Sequence, residues 1–204
     1  MKAGTVKRLT PVALIVVAVS LALAGCTSDS LATGYNSHDA NGNYLSPDGT
    51  TKTIAAADRG APVTWSGTTE RGATISSKDY LGKVVVLNFW YAACGPCRAE
   101  APRLEKLNTT YAPKGVVFVG VDVEDTAPTA LSFEQAHGVT YPSVLDAEDG
   151  AVKLAFAGKI SPNAVPTTLV IDAKGRVAAR FTGLITSPSL VATILDATLA
   201  ESTS

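Results

Sequence analysis

The sequence predicts an α/β domain: a central mixed β-sheet flanked by helices, with an N-terminal β-hairpin extension. Three observations predict it. Two apolar runs, Lys83–Trp90 and Val116–Val121, are each followed by a helix-forming segment, the alternation that gives a parallel core. Two later strand-like runs, Thr167–Ile171 and Arg176–Phe181, are joined by Asp172-Ala173-Lys174-Gly175, a hairpin signal. An earlier pair, Val63–Thr68 and Ala73–Ser76, is split by Glu70-Arg71-Gly72 and reads as a separate hairpin. With 204 residues, 46% of them hydrophobic, the chain suits one globular domain plus appendages.

The appendages come first. Lys2, Lys7 and Arg8 form a charged start, and Pro11–Leu23 is an apolar stretch too short for a lone membrane-spanning helix, which needs roughly 20 residues. Residues 1–25 therefore read as a signal peptide. Leu23-Ala24-Gly25-Cys26 resembles a bacterial lipobox, which implies cleavage before Cys26 and acylation of its thiol. The alternative is an ordinary signal peptide that contains a cysteine. Residues 26–60 are rich in Ser, Thr, Asn, Gly and Asp, with turn signals at Asn41-Gly42-Asn43 and Pro47-Asp48-Gly49, and read as a flexible tether. His38 lies in it. The globular domain is expected over 61–204.

Within that domain the elements follow in order. After the hairpin, Ser77–Leu81 reads as a single helical turn before the first apolar strand. A helix runs from Cys94 or Pro96 to Tyr111, ended by Pro113-Lys114-Gly115. Pro96 suits a first turn, where no helical N–H is lost, whereas Pro102 should kink the helix. Val116–Val121 ends at Asp122. Pro128–His137 forms a helix capped by Gly138, Val144–Asp146 a short strand end, and Ala151–Phe156 a short helix. Ser187-Pro188-Ser189 caps a last helix whose Leu190, Ile194, Leu195 and Leu199 share one face.

Charge excludes little beyond nucleic acid. The chain carries 17 basic and 18 acidic residues, and three of the basic ones precede residue 26. A balance this even offers no phosphate-binding surface.

The chemistry is concentrated in Cys94-Gly95-Pro96-Cys97. A thiolate at a helix N-terminus is stabilised by free N–H groups and the helix dipole. Cys94 is expected at the exposed end of the turn, and Cys97 one turn in and shielded. Cys94 is then the attacking thiol and Cys97 the one that resolves the mixed disulfide. A zinc site would need two more ligands, and His38 and His137 are not spaced for it. A purely structural disulfide closing so small a loop would constrain the unfolded chain little. Glu100 shares a helical face with Cys97, Leu104 and Leu107. A carboxylate on a buried face is costly without a role or partner; the alternative is a partly exposed Glu100 paired with Arg103.

These residues carry a resemblance. Val86-Leu87-Asn88-Phe89-Trp90, Cys94-Gly95-Pro96-Cys97-Arg98-Ala99-Glu100, Pro102, Gly138–Asp146 and Val165–Asp172 running into Gly175-Arg176-Val177 are similar to the thioredoxin superfamily. In particular, they resemble its membrane-tethered, extracytoplasmic TlpA/ResA-like thiol-disulfide oxidoreductases. The similarity covers about Ala61–Leu199 and implies a thioredoxin fold. It implies a cis Val165–Pro166 bond facing the cysteines, where residues alone would equally allow a trans proline opening a strand. It places Val165, Gly95 and Pro96 against the client and makes Glu100 a proton acceptor for Cys97. It implies no cofactor, no metal and no nucleic acid. The implied partners are thiols and disulfides of exported proteins, apocytochrome c among them, and a membrane thiol-disulfide electron carrier. The implied location is the outer face of the cell membrane, through a lipid anchor.

Two positions depart from the pattern. Asn88 stands where thioredoxins carry a buried Asp, which leaves Glu100 as the nearer base. Ala93 replaces a Trp common before the first Cys, which should leave Cys94 open. The expected reaction is reduction of client disulfides. A disulfide-forming oxidase and a non-enzymatic binding lipoprotein stay open as alternatives.

Overall fold

All six residues of Val85–Trp90 (β5) are buried. An apolar run like this one needs protein on both faces, which puts it mid-sheet. It pairs in parallel with Val117–Asp122 (β6) and antiparallel with Thr167–Ile171 (β8). The computed structural model describes residues 40–158 and 164–202. The expectations for residues 1–25, for Cys26 and for His38 fall outside them.

Around β5 the chain builds outward. On one side, Ser143–Leu145 (β7) pairs in parallel with β6. On the other, Val177–Thr182 (β9) returns antiparallel to β8 through the predicted turn, where Asp172 Oδ1 accepts from Lys174 N and Arg176 N, both at 2.9 Å. The helices are Gly95–Tyr111 (α1), Ala127–His137 (α2), Ala151–Ala155 (α3) and Pro188–Ser202 (α4). Ser66–Thr68 (β3) and Thr74–Ser76 (β4) form the expected hairpin as a separate two-stranded sheet, followed by a 3₁₀ turn at Ser77–Tyr80. The hairpin touches the main sheet through a bridge between Thr69 and Val144.

The tether expectation needs correcting. Tyr44–Leu45 (β1) and Thr51–Thr53 (β2) belong to the main sheet, whose order is β1-β2-β9-β8-β5-β6-β7. Thr51, Lys52 and Thr53 stand opposite Phe181, Arg180 and Ala179. The domain thus begins by residue 44, not 61, and β9 is covered rather than an edge. The physical reason is that Thr-Lys-Thr alternates inward and outward without being apolar. Its two inward threonines and the buried Tyr44 carry too little hydrophobic signal to separate it from coil. Arg59 then ties this segment down: Nη1 lies 3.0 Å from Asp172 Oδ2, and Nη2 donates to Glu201 Oε1 at 2.8 Å.

The alternation of β5 sorts the interior. Val85, Leu87 and Phe89 face a cluster with Trp65, Val121, Val144, Phe156 and Leu169, under the hairpin and α3. Val86 and Trp90 face the other cluster, with Cys94, Cys97, Leu104, Phe133, Leu190 and Ile194, under α1, α2 and α4. Asn88 lies between Val86 and Trp90 in that alternation, so it points at α1.

Candidate active site

The strand–helix junction after β5 delivers Cys94 as the N-cap of α1, with Pro96 in the first turn. A proline there loses no helical hydrogen bond, because the first N–H groups of a helix have no partner within it. Cys94 Sγ accepts from Cys97 N at 3.1 Å, and the two sulfurs are joined in a disulfide with Cα atoms 5.2 Å apart. Cys94 is more enclosed than expected. Cys94 is 4% exposed and Cys97 1%. The expectation of an open Cys94 is therefore corrected for the disulfide form. Bonded to Cys97, its sulfur is drawn under the first helical turn, while the small Ala93, Gly95 and Pro96 around it stay exposed.

The Val165–Pro166 bond is cis. β8 runs antiparallel to β5, and its first residue, Thr167, stands opposite Phe89. That register brings Val165 and Pro166 to the same end of the sheet as the cysteines. Val165 is half-buried and Pro166 buried. Pro166 O accepts from Gly183 N at 2.8 Å, which fixes the loop after β9 beside it.

Glu100 lies in the buried stripe of α1 with Cys97, Ala101, Leu104 and Leu107, and is 1% exposed. The alternative pairing with Arg103 is absent: Arg103 Nη1 donates to Ile185 O at 2.6 Å. Glu100 Oε1 accepts from Asn88 Nδ2 at 2.9 Å, and Oε2 from Ile185 N at 3.1 Å. Asn88 Nδ2 also donates to Thr168 Oγ1 at 3.0 Å. The amide that replaces the expected Asp thus holds the carboxylate in place. Burial pushes the Glu100 carboxyl up to about 7, against the pull of the Ile185 and Asn88 donors and of nearby Arg103. A carboxyl titrating near neutrality beside a thiol suits proton transfer.

Some contributors escaped sequence reasoning. Ile185 and Gly183 act through backbone N–H groups, which leave no side-chain signature. Asp125 Oδ2 accepts from Ala92 N at 2.6 Å and so steadies the loop before Cys94. Asp122, at the end of β6, accepts from Glu124 N and Asp125 N and holds that arrangement together. Acids placed just after a predicted strand were the available signal. Among the described residues, no group of three or more His, Cys, Asp or Glu side chains is arranged to hold a metal ion.

A family model described as Redoxin matches residues 41–195, more than half of the chain. The chain belongs to the Redoxin family. That span starts just before β1, in agreement with the corrected domain start, and ends within α4. Thiol-disulfide oxidoreductase ResA of Geobacillus thermodenitrificans is 34% identical over 112 residues, 55% of this chain and 62% of that protein. The match thus spans about three-fifths of the length of this curated relative. Among solved structures, a thiol:disulfide interchange protein of the thioredoxin family from Chlorobium tepidum matches with TM-score 0.62 and 31% identity. It covers 69% of this chain and 97% of its own. A secreted thiol-disulfide isomerase from Corynebacterium glutamicum matches with TM-score 0.67 and 29% identity, over 79% and 97% of the two chains. The Redoxin-family chain therefore has the thioredoxin fold that its sequence resembles, with Cys94 and Cys97 where β5 meets α1.

Proposed function

We propose that this protein is an extracytoplasmic, membrane-anchored thiol-disulfide oxidoreductase that reduces disulfides in exported proteins. The observation that carries the reading is the Cys94–Cys97 disulfide at the N-terminus of α1, on the same sheet end as cis-Pro166. The names of its relatives support the same reaction class. In the reduced protein the Cys94 thiolate attacks a client disulfide, and one client sulfur leaves as a thiolate. Cys97 then attacks Cys94 Sγ, its proton passing to Glu100, and the second client sulfur is released. Two electrons have moved to the client, and the Cys94–Cys97 disulfide remains. A membrane thiol-disulfide carrier would restore the dithiol. Val165, Gly95 and Pro96 would line the client, whose extended backbone would pair beside Pro166.

The reducing direction has a physical basis. A stabilised thiolate makes the dithiol the favoured form and the pair a strong oxidant. Here a buried carboxyl stands on the Cys97 side of the site, and negative charge disfavours a thiolate. A reduction potential near about −270 mV is therefore expected, and one near about −120 mV would favour the oxidase reading instead. Apocytochrome c thiols are the client class that the resemblance implies.

Two variants test the reading. Cys97→Ser should accumulate covalent mixed disulfides with exported proteins, visible as high-mass species lost on adding dithiothreitol, whereas Cys94→Ser should not. Trapping by Cys94→Ser reverses the roles, and no trapping by either favours a non-enzymatic binding lipoprotein. Cys26→Ala should release the protein from the membrane fraction. Continued retention of that variant, with no acyl label on the wild type, would remove the lipid anchor from the proposal.

A further inference from the structure

Beyond the cysteine pair, the fold buries a second group of acids that the reaction above does not use. Glu134 on α2, Asp122 on β6 and Glu70 in the β3–β4 turn are 2%, 0% and 4% exposed. Among the described residues, one cation pairs with Glu70 and Glu134. The Arg71 side chain, 60% exposed, places Nε 3.0 Å from Glu70 Oε1 and Nη2 2.8 Å from Glu134 Oε2. Glu70 Oε2 accepts from Ser143 N at 2.8 Å. Among the described residues, Glu134 Oε1 and Asp122 Oδ2 are buried and accept no hydrogen bond. Two enclosed carboxyls share one exposed guanidinium, and Asp122 beside Glu134 adds a third acid that this cation does not pair with, which low-dielectric surroundings make costly.

The group connects to the thiol through Ser143 and Phe133. Ser143, which neighbours Glu134, lines one internal cavity with Cys97, Asn88, Trp90 and Tyr141. Trp90 stacks on Phe133, the residue before Glu134, with ring centroids 4.1 Å apart. The phenol of Tyr141, held protonated by burial, also feels Glu100, Glu105 and Glu134. Gly120 leaves room for this packing, since a Cβ there would collide with Ser143 Oγ and Trp90 Nε1.

We propose that Glu134, with Asp122 and Glu70, forms a second acid centre that holds the Cys97 thiol protonated, so that Glu134 is a positioning residue for the thiol chemistry. The inference rests on the oxidoreductase reading above. Forming the dithiol from the disulfide takes two electrons from a partner dithiol and two protons. A negative group behind Ser143, which lines the cavity with Cys97, favours the protonated product at Cys97 and opposes its thiolate. Burial, with repulsion from Glu70 and Asp122, pushes the Glu134 carboxyl up to about 7, and Arg71 and the Ser143 hydroxyl oppose this. Burial likewise pushes Asp122 up to about 6.

The test is the alkylation rate of Cys97 across pH 5 to 10 in the reduced full-length chain, read by mass spectrometry of the Cys97 peptide. Glu134→Gln is expected to lower the apparent pKa of Cys97 by about half a unit or more. Arg71→Gln, which removes the facing cation and breaks the same ion pair, is expected to raise it. Opposite signs separate electrostatics from loosening, which would move both variants the same way. An unchanged Cys97 titration in Glu134→Gln, or a downward shift in Arg71→Gln, overturns the proposal. If Glu134→Gln does not fold, the sign of the Arg71→Gln shift decides alone. A wild type that exchanges with no disulfide overturns the oxidoreductase reading instead, a separate outcome of the same preparation.

Discussion

Glu100 owes its chemistry to the company of two donors. Asn88 Nδ2 and Ile185 N both point hydrogens at it, so the carboxylate is bound as an anion yet buried enough to titrate near pH 7. Glu100→Gln tests the role with little change of shape. The new amide can turn its oxygen to Ile185 N, and Asn88 can flip to present Oδ1, because the Thr168 hydroxyl both donates and accepts. The fold should hold while the proton acceptor is lost. The expected outcome is a fall of about ten-fold or more in exchange with a small disulfide, with the inflection near pH 7 gone from the rate profile. Stopped-flow measurements between pH 5 and 9 would show it, and a profile matching the wild type would leave Glu100 a structural residue. The sequence made this residue legible: an acid in helical register with Cys97, Leu104 and Leu107 stands out. Its partner Ile185 was not legible, because a backbone N–H has no letter in the sequence.

At the level of elements, apolar content decided what the sequence could reveal. β5 and β6 announced themselves as runs of large apolar residues, and α1 by its cysteines and proline. β1 and β2 did not, because their inward positions are one tyrosine and two threonines. Yet they cover β9, whose backbone groups would otherwise form a long open edge. A chain that starts at Ala61 would lose this cover, and with it the Arg59 links to Asp172 and Glu201. Asp172 would keep only Arg176 beside a half-dismantled ion network, and leaving a buried charge short of its partner is costly. Such a chain should unfold at a clearly lower urea concentration than one starting at residue 40, by several kcal/mol. It should also associate through its exposed edge. Equal midpoints in urea, with both chains monomeric, would show that the first two strands are decoration on the fold.

Across the whole molecule, the buried acids set the dependence of stability on pH, and they set it against the common direction. Burial raises Glu100 and Glu134 to about 7 and Asp122 to about 6, above ordinary values of 4.5 for Glu and 3.8 for Asp. A group with a raised native pKa binds its proton more tightly when folded. Its stabilisation is complete below the unfolded pKa and is lost as pH rises through the native one. These three acids therefore make stability fall from about pH 4.5 to about pH 7, by something on the order of 1–3 kcal/mol per group. Asp172 acts the other way. Burial opposes its charge, but the Arg176 backbone and side chain and the Arg59 guanidinium outweigh it and hold its pKa below 3.8. Its contribution is present above that value and is lost as pH falls through the lowered one. The two trends leave maximum stability at about pH 4, where Asp172 is ionised and the buried acids hold their protons in the folded and largely in the unfolded chain. Urea unfolding of the oxidised protein from about pH 3 to pH 8 should show that maximum and a decline towards pH 8. Glu100→Gln and Glu134→Gln should each flatten the decline, since an amide has no proton to lose. Stability that stays level or rises from pH 5 to 8 would mean that the native acids titrate as they do in the unfolded chain, and that their burial is relieved by solvent entering the site.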